Sequence, residues 1–298
     1  VESKKSKQKK GSSERCFGFI GDSSQVLKIS LTFAKILKFL MATYTTEIAS
    51  DKLISDNPIH QRLLKAYIAA KPWISGNLLE IGCGEGRGVE ELLPHADQYL
   101  GLDKIGEVIQ TLQAKYPGVA FKQAVIPPFS GHEDSTYDTI VSFQVIEHIR
   151  EDRLFLQEIY RMLKPGGKAI ISTPNITHTL SRNPWHEREY TPQQLIDLAA
   201  GIFDTVEAKG IGANEKVWTY HEANRKSVRK IMQFDVFDLQ YRLPAAMLRW
   251  PYEVLNRFNR DNLHKKQGAS VVDISHEDYL VVEDPMKGLD LFYVLWKK

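Results

Sequence analysis

The stretch LLEIGCGEGRGVEEL, residues 78–92, sets Gly82, Gly84, Gly86 and Gly88 at alternate positions between an apolar run and an acidic segment. An apolar strand running into a glycine turn and then a helix is the local form of an α/β nucleotide-type site, because glycine lets backbone amides approach a ligand closely. The dinucleotide fingerprint G-x-G-x-x-G, counted from Gly82, requires glycine at 87, where Arg87 stands. The pattern is instead E-x-G-x-G-x-G, beginning with Glu80 on the strand, so a nicotinamide dinucleotide is disfavoured.

Strand and helix signals alternate downstream. Strands are expected at 77–81, 98–103, 119–124, 137–144, 168–174 and 204–212, with a last one in DLFYVLWKK. Helices are expected over 58–70, from the glycine turn to about Leu93, over 105–115, and directly after the strand at 137–144, with Glu147 and His148 at its start and Phe155, Ile159, Met162 and Leu163 on one face. Thr191 and Pro192 read as the cap and first position of a further helix over 191–200. This alternation predicts a doubly wound, mainly parallel sheet with its ligand at the carboxyl ends of the strands. Asp103, at the end of the second strand, is placed to accept hydrogen bonds from ribose hydroxyls.

Four segments in this order, LLEIGCGEG, YLGLD, YDTIVSFQVIEHI and LKPGGKAIISTPN, resemble the class I S-adenosylmethionine-dependent methyltransferases. The resemblance covers roughly residues 57–211. It implies a seven-stranded Rossmann-like sheet with an antiparallel last strand, a glycine turn wrapped around S-adenosylmethionine, and Asp103 on the ribose. The cofactor-binding set it implies is Glu80, Gly82, Cys83, Gly84, Gly86, Asp103, Lys104, Gln123, Ala124 and Phe143. Gln123 stands where relatives often carry an acid for the adenine amino group.

Methyl transfer to a hydroxyl needs alignment and a proton acceptor, and histidine suits that task at neutral pH. His148, in VIEHI, and His186, in the loop TPNITHTLSRNPWHEREYT, are the candidate catalytic residues; His178 is less distinctive. No resident metal is expected. The NPWHEREYT part of that loop is similar to loops of bacterial methyltransferases of cell-surface sugar and secondary-metabolite pathways, which implies O-methylation of a small-molecule or glycan-type acceptor. An alternative is a metal-dependent methyltransferase of RNA 3′-end ribose, whose ligand pattern is similar to Gln144, Glu147, His148 and His186. Gln144 replaces a charged ligand there, which weakens a site for a hard cation. A non-catalytic cofactor-binding scaffold is a third reading.

Between about 213 and 288 a helical insertion is expected before the last strand, broken at Pro244 and Pro251. It mixes Phe234, Phe237, Tyr241, Trp250, Tyr252 and Phe258 with basic residues, which suits a helical cover or a peripheral membrane contact. Charge supports the division: residues 1–40 hold nine Lys/Arg against three acids, and residues 225–266 ten against four, leaving the rest of this +2 chain at −10. An acidic body argues against nucleic acid as partner. Residues 1–40 read as a disordered or extension segment, with Met41 a candidate start and a methyltransferase domain over 41–298. Only Cys16 and Cys83 are present, so no disulfide framework is implied and a cytoplasmic location is expected.

Overall fold

The computed structural model describes residues 54–233, 235 and 238–298. The segment 1–40, Phe234 and Phe237 lie outside the described residues. Among the described residues eight strands form one sheet: β1 (Asn77–Ile81), β2 (Gln98–Asp103), β3 (Ala120–Gln123), β4 (Tyr137–Phe143), β5 (Leu163–Pro174), β6 (Thr205–Ala213), β7 (Tyr279–Val282) and β8 (Asp290–Trp296). Their order is β3-β2-β1-β4-β5-β8-β6-β7. The first five pair in parallel, and β8 runs antiparallel between β5 and β6. The order reverses between β1 and β4, the switch point where such sheets open a crevice.

Both sheet faces are covered, and β1 shows why the sequence specifies this. Leu78 packs into one core and Leu79 and Ile81 into the other, because successive side chains of a strand point to opposite faces. All three are buried, each stabilising the fold by about 1.5–3 kcal/mol relative to exposure. On the Leu78 side lie α1 (Asn57–Ala70), α2 (Val89–Leu92) and α3 (Gly106–Lys115); on the other lie α4 (Asp152–Met162) and α5 (Pro192–Ala200). Thr191 and Gln194 form a reciprocal capping box at the start of α5, an arrangement in which the cap alone contributes about 1 kcal/mol.

Three expectations are corrected. The helix after the glycine turn begins only at Val89, because the turn consumes the residues before it, and it passes at Leu93 into a 3-10 turn containing Pro94. α4 stops at Met162, and Leu163 opens β5 opposite Tyr137 instead of continuing the helical face. The sheet has eight strands, because β7 adds antiparallel to the outer edge of β6 within the expected insertion. β7 has four residues, the short form that leaves little open edge, and its Tyr279 hydroxyl donates to the Pro58 carbonyl at 2.7 Å.

The insertion otherwise contains α6 (Glu215–Met232), α7 (Leu239–Arg242) and α8 (Ala245–Val272). Pro244 marks the break between α7 and α8, as expected, whereas Pro251 lies inside α8. Proline there removes one amide donor, to the Met247 carbonyl, on an exposed stretch of helix where that carbonyl is open to solvent. α8 docks on α6 through Asn259, which reaches Ser227 (2.5 Å) and Asn224 (2.8 Å), and on Asp56 through Arg260 (3.1 Å). Its cover is partial: Asn259 and Leu263 are buried, while Met247, Trp250 and Phe258 stand exposed. Among the described residues no helix is long and apolar enough to cross a membrane.

Candidate active site

The glycine turn connects β1 to α2 at the switch point. The Gly82 and Cys83 amides both donate to the Leu102 carbonyl of β2, at 2.8 and 3.0 Å, folding the turn onto its neighbour. Gly82, Gly84 and Gly86 have φ of +78°, +50° and +81°, the region that side chains other than glycine seldom adopt. Their surroundings differ. A Cβ at Gly86 would overlap Leu112, and one at Gly88 would overlap the Tyr67 ring. A Cβ at Gly84 would meet nothing within 4 Å. Gly86 and Gly88 therefore admit the protein's own side chains, and Gly84 is the position whose backbone faces open space.

That space is a cleft of about 330 Å³, within the range of ligand sites. Asp103 stands at its edge with both carboxylate oxygens oriented: Oδ2 accepts from the Gly84 amide and Oδ1 from the Ile105 amide, each at 2.9 Å. Of the residues expected to bind cofactor, Gly82, Cys83, Gly84, Asp103, Lys104, Ala124 and Phe143 line the cleft. Gly86, Glu80 and Gln123 do not. Burial pushes the Cys83 thiol well above its ordinary range, so it lines the cleft as a protonated, inert group.

Glu80 is buried and accepts from the hydroxyls of Tyr67, at 2.8 Å, and Tyr99. Burial raises its pKa, and the two phenol bonds oppose that shift. Its carboxylate is thereby committed to bracing α1 and β2 against β1. Gln123 turns its side-chain amide to the Lys104 carbonyl at 2.9 Å, tying β3 to the end of β2. Sequence reasoning missed Leu63 and Tyr67, which close the cleft from α1, and Val125 and Ile126 after β3. Leu63, Ala66, Tyr67 and Ala70 recur at helical spacing, a signal that marked an inward face without showing that it roofs a ligand site.

His148 lines the cleft from the turn after β4. Its Nδ1 lies 2.9 Å from the Trp185 carbonyl. A carbonyl only accepts, so Nδ1 carries the proton and Nε2 of the neutral ring is the acceptor. The ring of His186 meets it edge-on, with centroids 4.9 Å apart. His186 has both nitrogens engaged: Nδ1 with Glu189 at 2.6 Å and Nε2 with Asn183 at 2.8 Å. The expected loop histidine thus braces the loop, and the helix-start histidine faces the cleft. Glu147 is buried and accepts from Thr173 at 2.8 Å. One ligand atom each from Glu147, His148 and His186 lies within 4.8 Å of the others. Gln144, held at φ +57°, donates to the Ser172 hydroxyl at 3.1 Å.

Residues 79–171 match the family described as "Methyltransferase domain". A probable S-adenosylmethionine-dependent methyltransferase of Mycolicibacterium smegmatis is 29% identical over 184 residues, covering 60% of this chain and 68% of that protein. One of Mycobacterium tuberculosis is 35% identical over 135 residues, but the chain spans only 49% of its length and the match 43% of this chain. The human mitochondrial ubiquinone biosynthesis O-methyltransferase is 28% identical over 134 residues, 43% of this chain and 34% of that one. Among solved structures, a methyltransferase of Thermotoga maritima, described as a possible histamine N-methyltransferase, superposes with a TM-score of 0.50 over 80% of this chain and 91% of that one. Its 15% identity speaks for the fold alone. The sheet order, the matched methyltransferase domain and the mycobacterial relatives agree on an S-adenosylmethionine-dependent methyltransferase of class I fold, with S-adenosylmethionine as its cofactor.

Proposed function

We propose that the chain methylates a hydroxyl of a small-molecule or glycan-type acceptor, with His148 receiving the hydroxyl proton. The observation that carries this reading is the cleft-lining His148, whose Nδ1 proton is fixed on the Trp185 carbonyl so that Nε2 is the acceptor. A base so oriented contributes about 10²–10⁴-fold when it meets the transferred proton. The similarity to an O-methyltransferase of ubiquinone biosynthesis supports oxygen as the methylated atom.

The residues around the cleft fit the cofactor. Each Asp103 oxygen uses one lone pair on a backbone amide and keeps another for a ribose hydroxyl. The open Gly84 backbone admits close approach, and Phe143 and Ala124 supply apolar walls. When bound, the sulfonium supplies an activated methyl group. The chain's own task is then to align the acceptor, exclude water and take up the proton at His148 Nε2.

A metal-assisted reading has one observation behind it, the convergence of Glu147, His148 and His186. Metal binding there would require His186 to give up its bond to Asn183 or to Glu189. The two readings separate in one experiment: transfer of labelled methyl from S-adenosylmethionine into glycan, small-molecule, RNA and protein fractions of native extract, with and without chelator. Label in glycan or small-molecule fractions that ignores chelator supports O-methylation with His148 as base. Chelator-sensitive label on RNA overturns it.

A further inference from the structure

Eight buried side-chain atoms among the described residues have no hydrogen-bond partner, and five of them belong to Arg62, His178, His221 and Asp290. Buried polar groups are nearly always paired, so a connected group of unpaired ones calls for a specific account. Arg62 Nε stands 3.1 Å from Asp290 Oδ2 as an ion pair, but its N–H is not aimed for a hydrogen bond. The rings of His178 and His221 are 6.4 Å apart, with the Trp218 ring 5.3 and 5.5 Å from them. Asp290 pairs with Pro174 at the end of β5, four residues before His178, so the ion pair and the ring cluster lie at the same end of the sheet.

Four elements deliver these residues to one edge. Arg62 lies on α1, directly before the cleft-lining Leu63. Trp218 and His221 come from the first two turns of α6, His178 from the turn after β5, and Asp290 opens β8 opposite Pro174. This is the carboxyl edge of β5, where Thr173 bonds Glu147, the neighbour of His148. Asp290 is 1% exposed and His221 8%.

Resting on the methyl-transfer reading of the adjoining cleft, we propose that Arg62, His178, His221 and Asp290 hold the acceptor, and that the acceptor is a hydroxyl-rich molecule of the saccharide class. The chemistry of the unpaired atoms selects that class. His178 Nε2 lies 3.1 Å from the Met286 carbonyl and so carries the proton, leaving Nδ1 as a bare acceptor. Asp290 offers two more acceptors, and Arg62 Nε a donor. Hydroxyls both donate and accept, so a polyol satisfies all of them. An apolar aromatic acceptor leaves them all unpaired. The Trp218 ring adds an apolar surface against which the C–H face of a pyranose packs.

The test uses the full chain saturated with S-adenosylhomocysteine, titrated with the methyl pyranosides of glucose, galactose, mannose and rhamnose and with catechol, followed by saturation-transfer NMR. At least one pyranoside is expected to bind, with affinity falling about tenfold or more in Asp290→Asn and in His221→Phe, the loss of one or two hydrogen bonds. The affinity for S-adenosylhomocysteine is expected to stay unchanged in both variants. Binding of no pyranoside to the loaded wild type, pyranoside binding indifferent to both variants, or catechol binding that depends on Asp290 overturns the proposal. A purely bracing ion pair would lower the melting temperature of Asp290→Asn and leave pyranoside affinity intact. Failure of S-adenosylhomocysteine to bind at all brings down the cofactor reading instead, and the acceptor site with it.

Discussion

His148 donates its Nδ1 proton to the carbonyl of Trp185 across 2.9 Å, so a residue of the loop after β5 sets the tautomer of a residue after β4. Trp185 is itself covered by the Arg249 guanidinium of α8, 4.1 Å from the ring centroid. The insertion therefore reaches the candidate base through one stacked pair. Replacing His148 by glutamine removes the proton acceptor while keeping a polar side chain of similar reach. Turnover is expected to fall by about 10²–10⁴-fold, with cofactor affinity unchanged by calorimetry. Retained turnover would remove His148 as the base.

The turn glycines divide by what their missing side chains admit. Gly84→Ala is expected to keep the protein folded, at a cost of about 1–2 kcal/mol for its left-handed backbone, and to lose cofactor affinity because the new methyl enters the open cleft. Gly88→Ala, with ordinary φ, instead drives a methyl into Tyr67 and is expected to destabilise the fold by about 1–3 kcal/mol. Thermal unfolding and cofactor titration of the two variants check this division. Equal loss of affinity with equal stability would refute it.

Asp290 and His221 give opposite dependences of stability on pH. Burial, aided by the Arg62 charge, brings His221 down to about 4. Between that value and the ordinary histidine range the unfolded chain holds a proton the folded chain lacks, so stability rises with pH there. Burial raises Asp290 to about 6 against the Arg62 charge, with Glu147 and Glu189 adding to the rise. Between about 4 and 6 the folded chain holds the extra proton, so this contribution is lost as pH rises. Asp290→Asn removes the falling contribution only. Its melting temperature is expected to climb more steeply from pH 4 to 6 than that of the wild type, and parallel curves would show that Asp290 does not titrate in this window.

Much of the sheet was legible because buried parallel strands leave continuous apolar runs such as NLLEI and YDTIVSF, and β1 and β2 run over the residues expected. β7 was hidden because a four-residue edge strand with Leu280 and Val281 exposed carries no core pattern of its own. The cleft's floor was readable from local motifs: Gly82, Gly84, Asp103 and Phe143 all line it. Its roof was not, because Leu63 and Tyr67 look like ordinary core residues of an amphipathic helix. Glu80 and Gln123 stand off the cleft lining for a related reason. Spacing places a residue at a strand end, but which way its side chain turns depends on partners distant in sequence, here Tyr99 and the Lys104 carbonyl. Arg62 and Asp290 are 228 positions apart, and nothing local announces that they meet.

The most direct test of the cofactor site is calorimetric titration of S-adenosylmethionine into the wild type and Asp103→Ala, with folding of each verified by thermal denaturation. Asp103 orients the Gly84 amide and presents its remaining lone pairs to the cleft. Saturable binding by the wild type and loss of most of that affinity in a folded Asp103→Ala is the predicted result. Binding of equal strength in the two proteins would contradict the assignment of this cleft to the cofactor.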